Sequence, residues 1–331
     1  MSKKERDEQF ASHLPGILNY HYTMLSDGVR NKLLHKAIKK HVSNSTSFLD
    51  IGAGTGVWAI LAAKLGAKRV VAVEVEEALI PIIYKTAQEN RVAERIEIIH
   101  GKSDDVKIKG KFDVIVSELF GHSAFGEGTV RSFIDLRDRF LATGGVLIPE
   151  RLKMYAAPIH LKRLGRPFPA NLPLRSEFVK GLKLNYATAL AFGEHEEVSF
   201  LAEPGMLIDI EFATVIEPPR LNALTARWKL KNAGRANAIA VFNHSVFTAG
   251  VFMNGFDSQS WGSTVYEFVP FEKGPGEVNF KLAMSETGGN WSVSLDRKPD
   301  SQIQNYSPVF AFARTRMAQQ MTPHKKFKGK G

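Results

Sequence analysis

The chain has 331 residues, enough for two domains, and its 44% hydrophobic and 24% charged residues are the balance of a globular protein in water. It has no cysteine, which excludes disulfides, thiolate metal sites and a cysteine nucleophile and points to a reducing, cytoplasmic location. The net charge is +10, but no apolar run reaches the roughly 18–20 residues of a membrane span, the charged N-terminus lacks the apolar centre of a secretory signal, and no RNA-binding motif orders the basic residues.

Residues 1–45 read as helices that would cover the domain after them. Val29, Leu33, Leu34, Ala37 and Ile38 recur with the 3.6-residue period, and Ser26 or Asp27 is the N-cap. From 46 to 149 strand and helix alternate. Strands are expected over 48–51, 69–74, 96–100, 112–116 and 145–149, and helices over 57–65, 77–90 and 131–140. Short links between alternating elements predict an α/β domain with a parallel, doubly wound sheet.

After Pro149 helical periodicity fades. Short β-type runs at 206–216, 238–242, 263–269, 277–282 and 291–295, punctuated by Pro, Gly and Asn, predict a β-barrel or sandwich over 150–320. The stretch 161–197 fits neither pattern and reads as an inserted arm. Residues 321–331 are a basic tail of solvated character, so nucleic acid is not an expected partner.

Two regions carry chemistry. The first is Asp50-x-Gly52-x-Gly54-x-Gly56, between the first strand and its helix. Glycines there let the backbone approach a ligand closely, although the spacing is not that of the dinucleotide-binding loop. Glu74 ends the second strand, where a carboxylate can accept from two ribose hydroxyls. Ser103 and Asp104 come after the third strand, where a carboxylate would meet an adenine amino group. A glycine loop, a ribose acid and an adenine acid in this order resemble the class I S-adenosylmethionine-dependent methyltransferases. Taken singly, Glu74 also fits a solvated strand end and Asp104 a helix cap.

The second region is the loop Ser117-Glu118-Leu119-Phe120-Gly121 through Glu127, after the fourth strand. Two carboxylates in a glycine- and aromatic-rich loop of a basic chain suit a planar cation. Guanidinium presents forked donors that match carboxylates edge to edge. The competing reading is that Glu118 merely ends a strand and Glu127 caps a helix near Thr129.

Here the chain resembles the protein arginine methyltransferases, whose double-glutamate loop Ser117, Glu118, Gly121 and Glu127 match position for position. Met24-Leu25-x-Asp27-x-x-Arg30 resembles the family helix whose methionine packs by the sulfonium and whose arginine holds the cofactor's carboxylate. Ala202-Glu203-Pro204 and Ser260-Trp261 resemble the family's barrel entry and the barrel loop facing its active site.

The resemblance implies a Rossmann-like S-adenosylmethionine-binding domain, a β-barrel substrate domain and a homodimer in which the arm at 161–197 docks on a neighbour. It implies Glu118 and Glu127 as the catalytic pair. Met24, Arg30, Asp50, Gly52, Gly54, Gly56, Glu74, Ser103, Asp104 and Glu118 would bind cofactor, and Tyr22, Ser260 and Trp261 would line the substrate site. Two departures stand out. Asn19-Tyr20-His21-Tyr22 places its tyrosines at other spacings than the family pair, and Ser260 stands where many members have a histidine, leaving Asp27 without its expected partner. The context Leu119-Phe120 with Gly126-Glu127-Gly128 resembles the monomethylating subgroup more than the dimethylators.

The substrate would be arginine in a protein or peptide. The alternatives are free arginine or a small guanidine metabolite, and a cofactor-binding scaffold. A nucleic-acid methyltransferase would carry a different loop at 117–120. No histidine–carboxylate spacing suggests a metal. His100 and His244 read as packing or hydrogen-bonding residues, and Trp58 and Trp228 as core.

Overall fold

A computed structural model describes residues 3–119, 128–162, 187–190, 198–258, 260–261, 263–268, 270–285, 288–296 and 302–306. Glu127, the tail and most of the expected arm lie outside these residues.

Two helices lead, α1 (Lys3–Ser26) and α2 (Gly28–His41). Asp27 between them is the N-cap of α2, its Oδ1 accepting from the Arg30 backbone N at 3.0 Å, the usual way such a side chain satisfies a free first-turn donor. Of the apolar stripe predicted for α2, Leu34, Ala37 and Ile38 are fully covered and Leu33 partly, while Val29 is 41% exposed.

The α/β unit matches the expected alternation: β1 (Ser47–Ile51), α3 (Val57–Lys64), β2 (Arg69–Glu74), α4 (Ile80–Glu89), β3 (Ile96–His100), β4 (Phe112–Ser117), α5 (Thr129–Phe140) and β5 (Leu141–Ile148). All pairings are parallel and the strand order is β3-β2-β1-β4-β5. Val70, Val71, Ala72 and Val73 of β2 and Val114, Ile115 and Val116 of β4 are buried without alternation, the signature of a sheet covered on both faces. Chain order reverses between β1 and β4. Doubly wound sheets bind ligands at the carboxyl ends of the strands flanking such a reversal.

The second half is antiparallel. Its strands are β6 (Arg151–Leu161), β7 (Ala187–Leu190), β8 (Val198–Phe200), β9 (Gly205–Glu211), β10 (Leu224–Leu230), β11 (Ala238–Thr248), β12 (Val251–Asn254), β13 (Ser263–Glu267), β14 (Gly276–Ser285), β15 (Gly288–Leu295) and β16 (Gln302–Tyr306). They form a four-stranded sheet, β10-β14-β15-β16, and a larger one built on β7-β13-β11-β6-β8 with β9 and β12 attached. The strands β6, β7, β8, β10, β12 and β16 lie outside the runs expected from the sequence. In place of the start of the expected arm, β6 runs to Leu161, and within 161–197 the structure describes only residues 161–162 and 187–190.

One apolar cluster runs through both halves, from Phe48 and Val71 to Ile210, Trp228 and Phe280. At the junction Phe133 of α5 stacks on Phe212, with ring centroids 4.0 Å apart. Arg137 donates to the carbonyls of Phe212 (3.1 Å) and Val215 (2.5 Å). On the opposite side His41 Nε2 lies 2.8 Å from Thr248 Oγ1, which donates to Glu150 at 2.7 Å. No helix among the described residues is long and apolar enough to cross a membrane.

Because Phe212 is fully buried in this shared core, Phe212→Ala is expected to cost about 3–5 kcal/mol. Urea unfolding monitored by circular dichroism checks the value, and a loss below about 1 kcal/mol would show that the two halves do not depend on this contact.

Candidate active site

The glycine loop leaves β1 with Gly52, Gly54 and Gly56 all at positive φ, 71°, 59° and 79°. Space closes the case at Gly54, where a Cβ would lie 2.8 Å from the His21 ring. A side chain there would be strained in backbone and would push the His21 ring of α1 aside. The neighbouring contacts show what the loop touches: a Cβ at Gly52 would meet Leu119 and one at Gly56 would meet Ile83, each at 2.7 Å. The loops after β1 and β4 are thus in contact, with α1 lying over them.

Glu74 is no solvated strand end. It is 5% exposed, and its two oxygens accept from the backbone N–H groups of Gly54 (2.6 Å) and Glu76 (2.8 Å). Each oxygen keeps lone-pair capacity beside the loop. Asp50 has another task. Gly56, the N-cap of α3, has no side chain, and Asp50 supplies the missing acceptor from below, its Oδ2 taking the Ala59 N–H at 3.0 Å. Asp50 is fully buried, and burial, reinforced by the nearby Glu118 and Glu74 charges, pushes its carboxyl up to about 8. It shapes the loop from within the core.

Ser103 and Asp104 lie in the turn after β3. The Asp104 side chain is half exposed and is paired with Lys102 at 2.6 Å and the Ser103 hydroxyl at 3.0 Å, which hold its carboxyl below the usual range. Asp104 caps no helix. Arg139 of α5 fastens this turn, donating to the carbonyls of Ser103 (2.9 Å) and Val106 (2.5 Å). Nothing in the local spacing pointed to Arg139.

Glu118 leaves the tip of β4 with its side chain 12% exposed. It receives the whole fork of Arg30: Nε donates to Oε1 at 2.8 Å and Nη2 to Oε2. The Trp58 indole Nε1–H also donates to Oε2, at 2.7 Å. The remaining Arg30 nitrogen, Nη1, donates to the Met24 carbonyl (3.0 Å) and Asn31 Oδ1 (2.7 Å). Met24 contributes this carbonyl while its side chain is half-buried. Among the described residues Arg30 therefore pairs with Glu118, the very carboxylate expected to face a guanidinium. Trp58 is buried, as expected of a core residue, yet its polar edge belongs to the site. Helix α5 begins at Thr129 behind Gly128, so the N-cap is Gly128, and the Thr129 hydroxyl ties α5 to the Leu119 carbonyl at 2.9 Å.

Serines stand beside Asp27 in place of the absent histidine. Asp27 does not lack a partner. It is fully buried, and its Oδ2 accepts from the Ser258 hydroxyl (2.6 Å), the Ser260 hydroxyl (2.8 Å) and the Ser260 N–H (3.0 Å). Burial alone would raise its carboxyl, but bonds from Ser258, the Arg30 N–H and Ser260 outweigh that and hold it below the usual value. Ser260 thus ties its loop to Asp27 through both its hydroxyl and its N–H.

Tyr22 points away from the glycine loop. It is 72% exposed, while its neighbour His21 turns onto Gly54. Successive helical residues point about 100° apart, so only one of the two can face the loop. His21 lies one turn before Met24, a spacing that could have identified it. Burial lowers its imidazole, and Glu74 and Arg30 act on it in opposite directions. Trp261 is 5% exposed, packs edge-on to Phe247 at 5.8 Å, and donates its backbone N–H to Ser258.

The charges gathered at the strand ends can therefore take cations. Glu74 and Glu118 are carboxylates placed beside a loop that admits close approach, and Asp50 behind them stays neutral below about pH 8. No cluster of His, Asp and Glu among the described residues could hold a metal.

Residues 32–148 match the family described as ribosomal protein L11 methyltransferase (PrmA). Among curated proteins, the chain is 30% identical over 232 residues to probable protein arginine N-methyltransferase 6 of Arabidopsis thaliana, covering 68% of this chain and 53% of that protein. It is 35% identical over 144 residues to probable protein arginine N-methyltransferase 6.2 of Oryza sativa subsp. indica, covering 43% and 36%. The chain thus spans about half or less of the length of these relatives.

Solved structures extend the likeness in fold. Arabidopsis thaliana protein arginine methyltransferase 10, solved in an open conformation, superposes with a TM-score of 0.71 at 19% identity over 88% of this chain and 99% of its own. The Trypanosoma brucei PRMT1 enzyme–prozyme heterotetrameric complex with AdoHcy gives 0.69 at 20% identity, covering 86% and 95%.

Asp50 yields a test of the site's charge. Its folded pKa is raised above the unfolded value, so its contribution to stability is complete below about pH 4 and is lost as pH rises toward about 8. Between pH 6 and 8.5 the protein should lose about 1–3 kcal/mol that Asp50→Asn does not lose. Denaturant melts at both pH values measure this, and parallel losses in the two proteins would refute it.

The chain is thus similar over part of its length to probable protein arginine N-methyltransferases in sequence, and to solved protein arginine methyltransferases in fold.

Proposed function

We propose that the chain transfers a methyl group from S-adenosylmethionine to a guanidinium nitrogen of arginine in a protein or peptide. The observation that carries this reading is the bidentate hold of Glu118 on a guanidinium, that of Arg30. A carboxylate that accepts one guanidinium edge in its plane has the geometry to accept another.

The residues fit the cofactor. The glycine loop offers backbone without side chains, Glu74 would accept from the ribose hydroxyls with the lone pairs its backbone bonds leave, and Asp104 would accept from the adenine amino group. Arg30 is placed to hold the amino-acid carboxylate, His21 and Met24 cover the loop, and Asp50 acts through the loop it supports. Bound there, S-adenosylmethionine supplies an electrophilic methyl on a sulfonium. The chain's own residues do the rest. Glu118, with Glu127 as its proposed partner, draws guanidinium charge toward the nitrogens it binds and leaves electron density on the nitrogen to be alkylated. The same carboxylates can accept the proton released. Holding the reactants in line supplies much of the acceleration, and the acidic surroundings of Glu74 and Glu118 favour two cations meeting in one place.

Several finer points belong to this reading. The enzyme would act in the cytoplasm as a homodimer, and the loop context of Glu127 favours monomethylation. Free arginine or a small guanidine is the second substrate class, since the carboxylate pair recognises the guanidinium and not the molecule that carries it.

Glu118→Gln keeps the shape and removes the charge. It is expected to lower kcat by about 10²–10⁴-fold, with cofactor affinity by calorimetry within a few-fold. Undiminished turnover would end the proposal. Mass spectrometry of products from an Arg-Gly-rich peptide and from free arginine, run side by side, assigns substrate class and methyl count.

A further inference from the structure

We propose that Trp58 is a positioning residue for Glu118, fixing the plane of its carboxylate through the indole N–H. The inference rests on the arginine-methylation reading given above.

Helix α3 is otherwise aliphatic where it meets the core: Ala59, Ile60, Ala62 and Ala63 are all buried. Packing at position 58 asks only for a large apolar group. A buried indole brings a donor that needs a partner, and here it finds the oxygen of an acid 60 residues away at 2.7 Å, the length of a charge-assisted bond. The ring is 6% exposed, so water cannot replace that partner freely. The Arg30 guanidinium lies 5.7 Å from the ring centroid, so Trp58 contacts both halves of the ion pair.

Counting lone pairs gives the donor its role. A carboxylate offers about four acceptor positions. Oε2 takes Trp58 and Arg30 Nη2, and Oε1 takes Arg30 Nε. One position on Oε1 is left, too little for a second fork. A substrate guanidinium can be gripped at two points only after the Arg30 fork withdraws. Among the hydrogen bonds described at Glu118, the Trp58 N–H is then the one that stays. It is carried on the first turn of a packed helix, where it cannot follow Arg30. With it the carboxylate keeps the plane and rotamer in which it met Arg30. Without it the group turns about its last bond, and the incoming fork meets a disordered acceptor.

The test uses the full chain and two substitutions. Trp58→Phe keeps a ring and deletes the N–H, while Trp58→Leu deletes both. Loss of one bond to a charged group predicts a fall in kcat of about 10–100-fold for each, with the KM for S-adenosylmethionine changed less than threefold. Equal losses in the two variants identify the N–H as the cause. Wild-type kcat in Trp58→Phe, with a loss only in Trp58→Leu, would assign the residue to packing and overturn the inference. A second measurement does not depend on either variant's turnover. The chain has four tryptophans, and the 15N indole resonance missing from Trp58→Phe should shift in Glu118→Gln. An unmoved resonance overturns the contact itself. Retained turnover in Glu118→Gln overturns the underlying reading, whereas loss there with none in Trp58→Phe overturns only this step.

Discussion

The carboxylate of Glu118 is the point on which the other parts of the site depend. A nearly buried ion pair is costly unless its geometry is close and its remaining donors and acceptors are satisfied. Arg30 and Glu118 meet that condition only because three separate segments converge: the start of α2 brings Arg30, the start of α3 brings Trp58, and the tip of β4 brings Glu118. Met24 and Asn31 then occupy the third guanidinium nitrogen. Displacing any one segment leaves a buried charge or donor unpaired, so this contact fixes the register of the N-terminal helices over the sheet.

The constraint passes outward through Asp27. Its Oδ1 caps the helix that carries Arg30, and its Oδ2 is held by Ser258 and Ser260 from the antiparallel half. A residue of the β domain thus sets the angle at which a helix of the other domain presents its arginine. The parallel sheet supplies Glu118 and the glycine loop, and the cap of the helix that carries Arg30 is tied to Ser258, 231 residues along the chain from Asp27. The junction at Phe133 and Phe212 and the link from His41 through Thr248 to Glu150 hold the two halves in the relation this requires.

The parallel half was legible in the sequence because buried strands and short helices leave strong marks. Continuous runs such as Val70 to Val73 and the glycine loop after Asp50 admit few readings, and the acids at strand ends came with that register. The second half was harder. Strand β6 carries Lys153, Pro158 and His160 among its apolar residues and so hides its continuity, although β10 alternates buried and exposed positions from Leu224 to Leu230 and was open to recognition. In the site, what the sequence left open concerns direction more than identity. Tyr22 and His21 differ by one helical step. The partners of Asp27 are serines distant in sequence, and a hydroxyl pair has no motif. The indole N–H of Trp58 is silent in any hydrophobic pattern, which registers the ring alone.

These relations place a condition on the proposed chemistry. The arginine assigned to the cofactor and the glutamate assigned to the substrate hold each other in the structure, so neither can serve fully while the pair persists. Arg30 cannot simply be released into a buried space, because an unpaired guanidinium there costs more than the exchange could return. It needs a second anion at the moment it turns from Glu118. In the proposed reading that anion is the carboxylate of the cofactor's amino-acid end. Substrate guanidinium can then replace Arg30 on a carboxylate already oriented, exchanging one fork for another at little electrostatic cost. Such an exchange favours cofactor before arginine, because the acceptor for arginine is uncovered only when Arg30 has somewhere else to go.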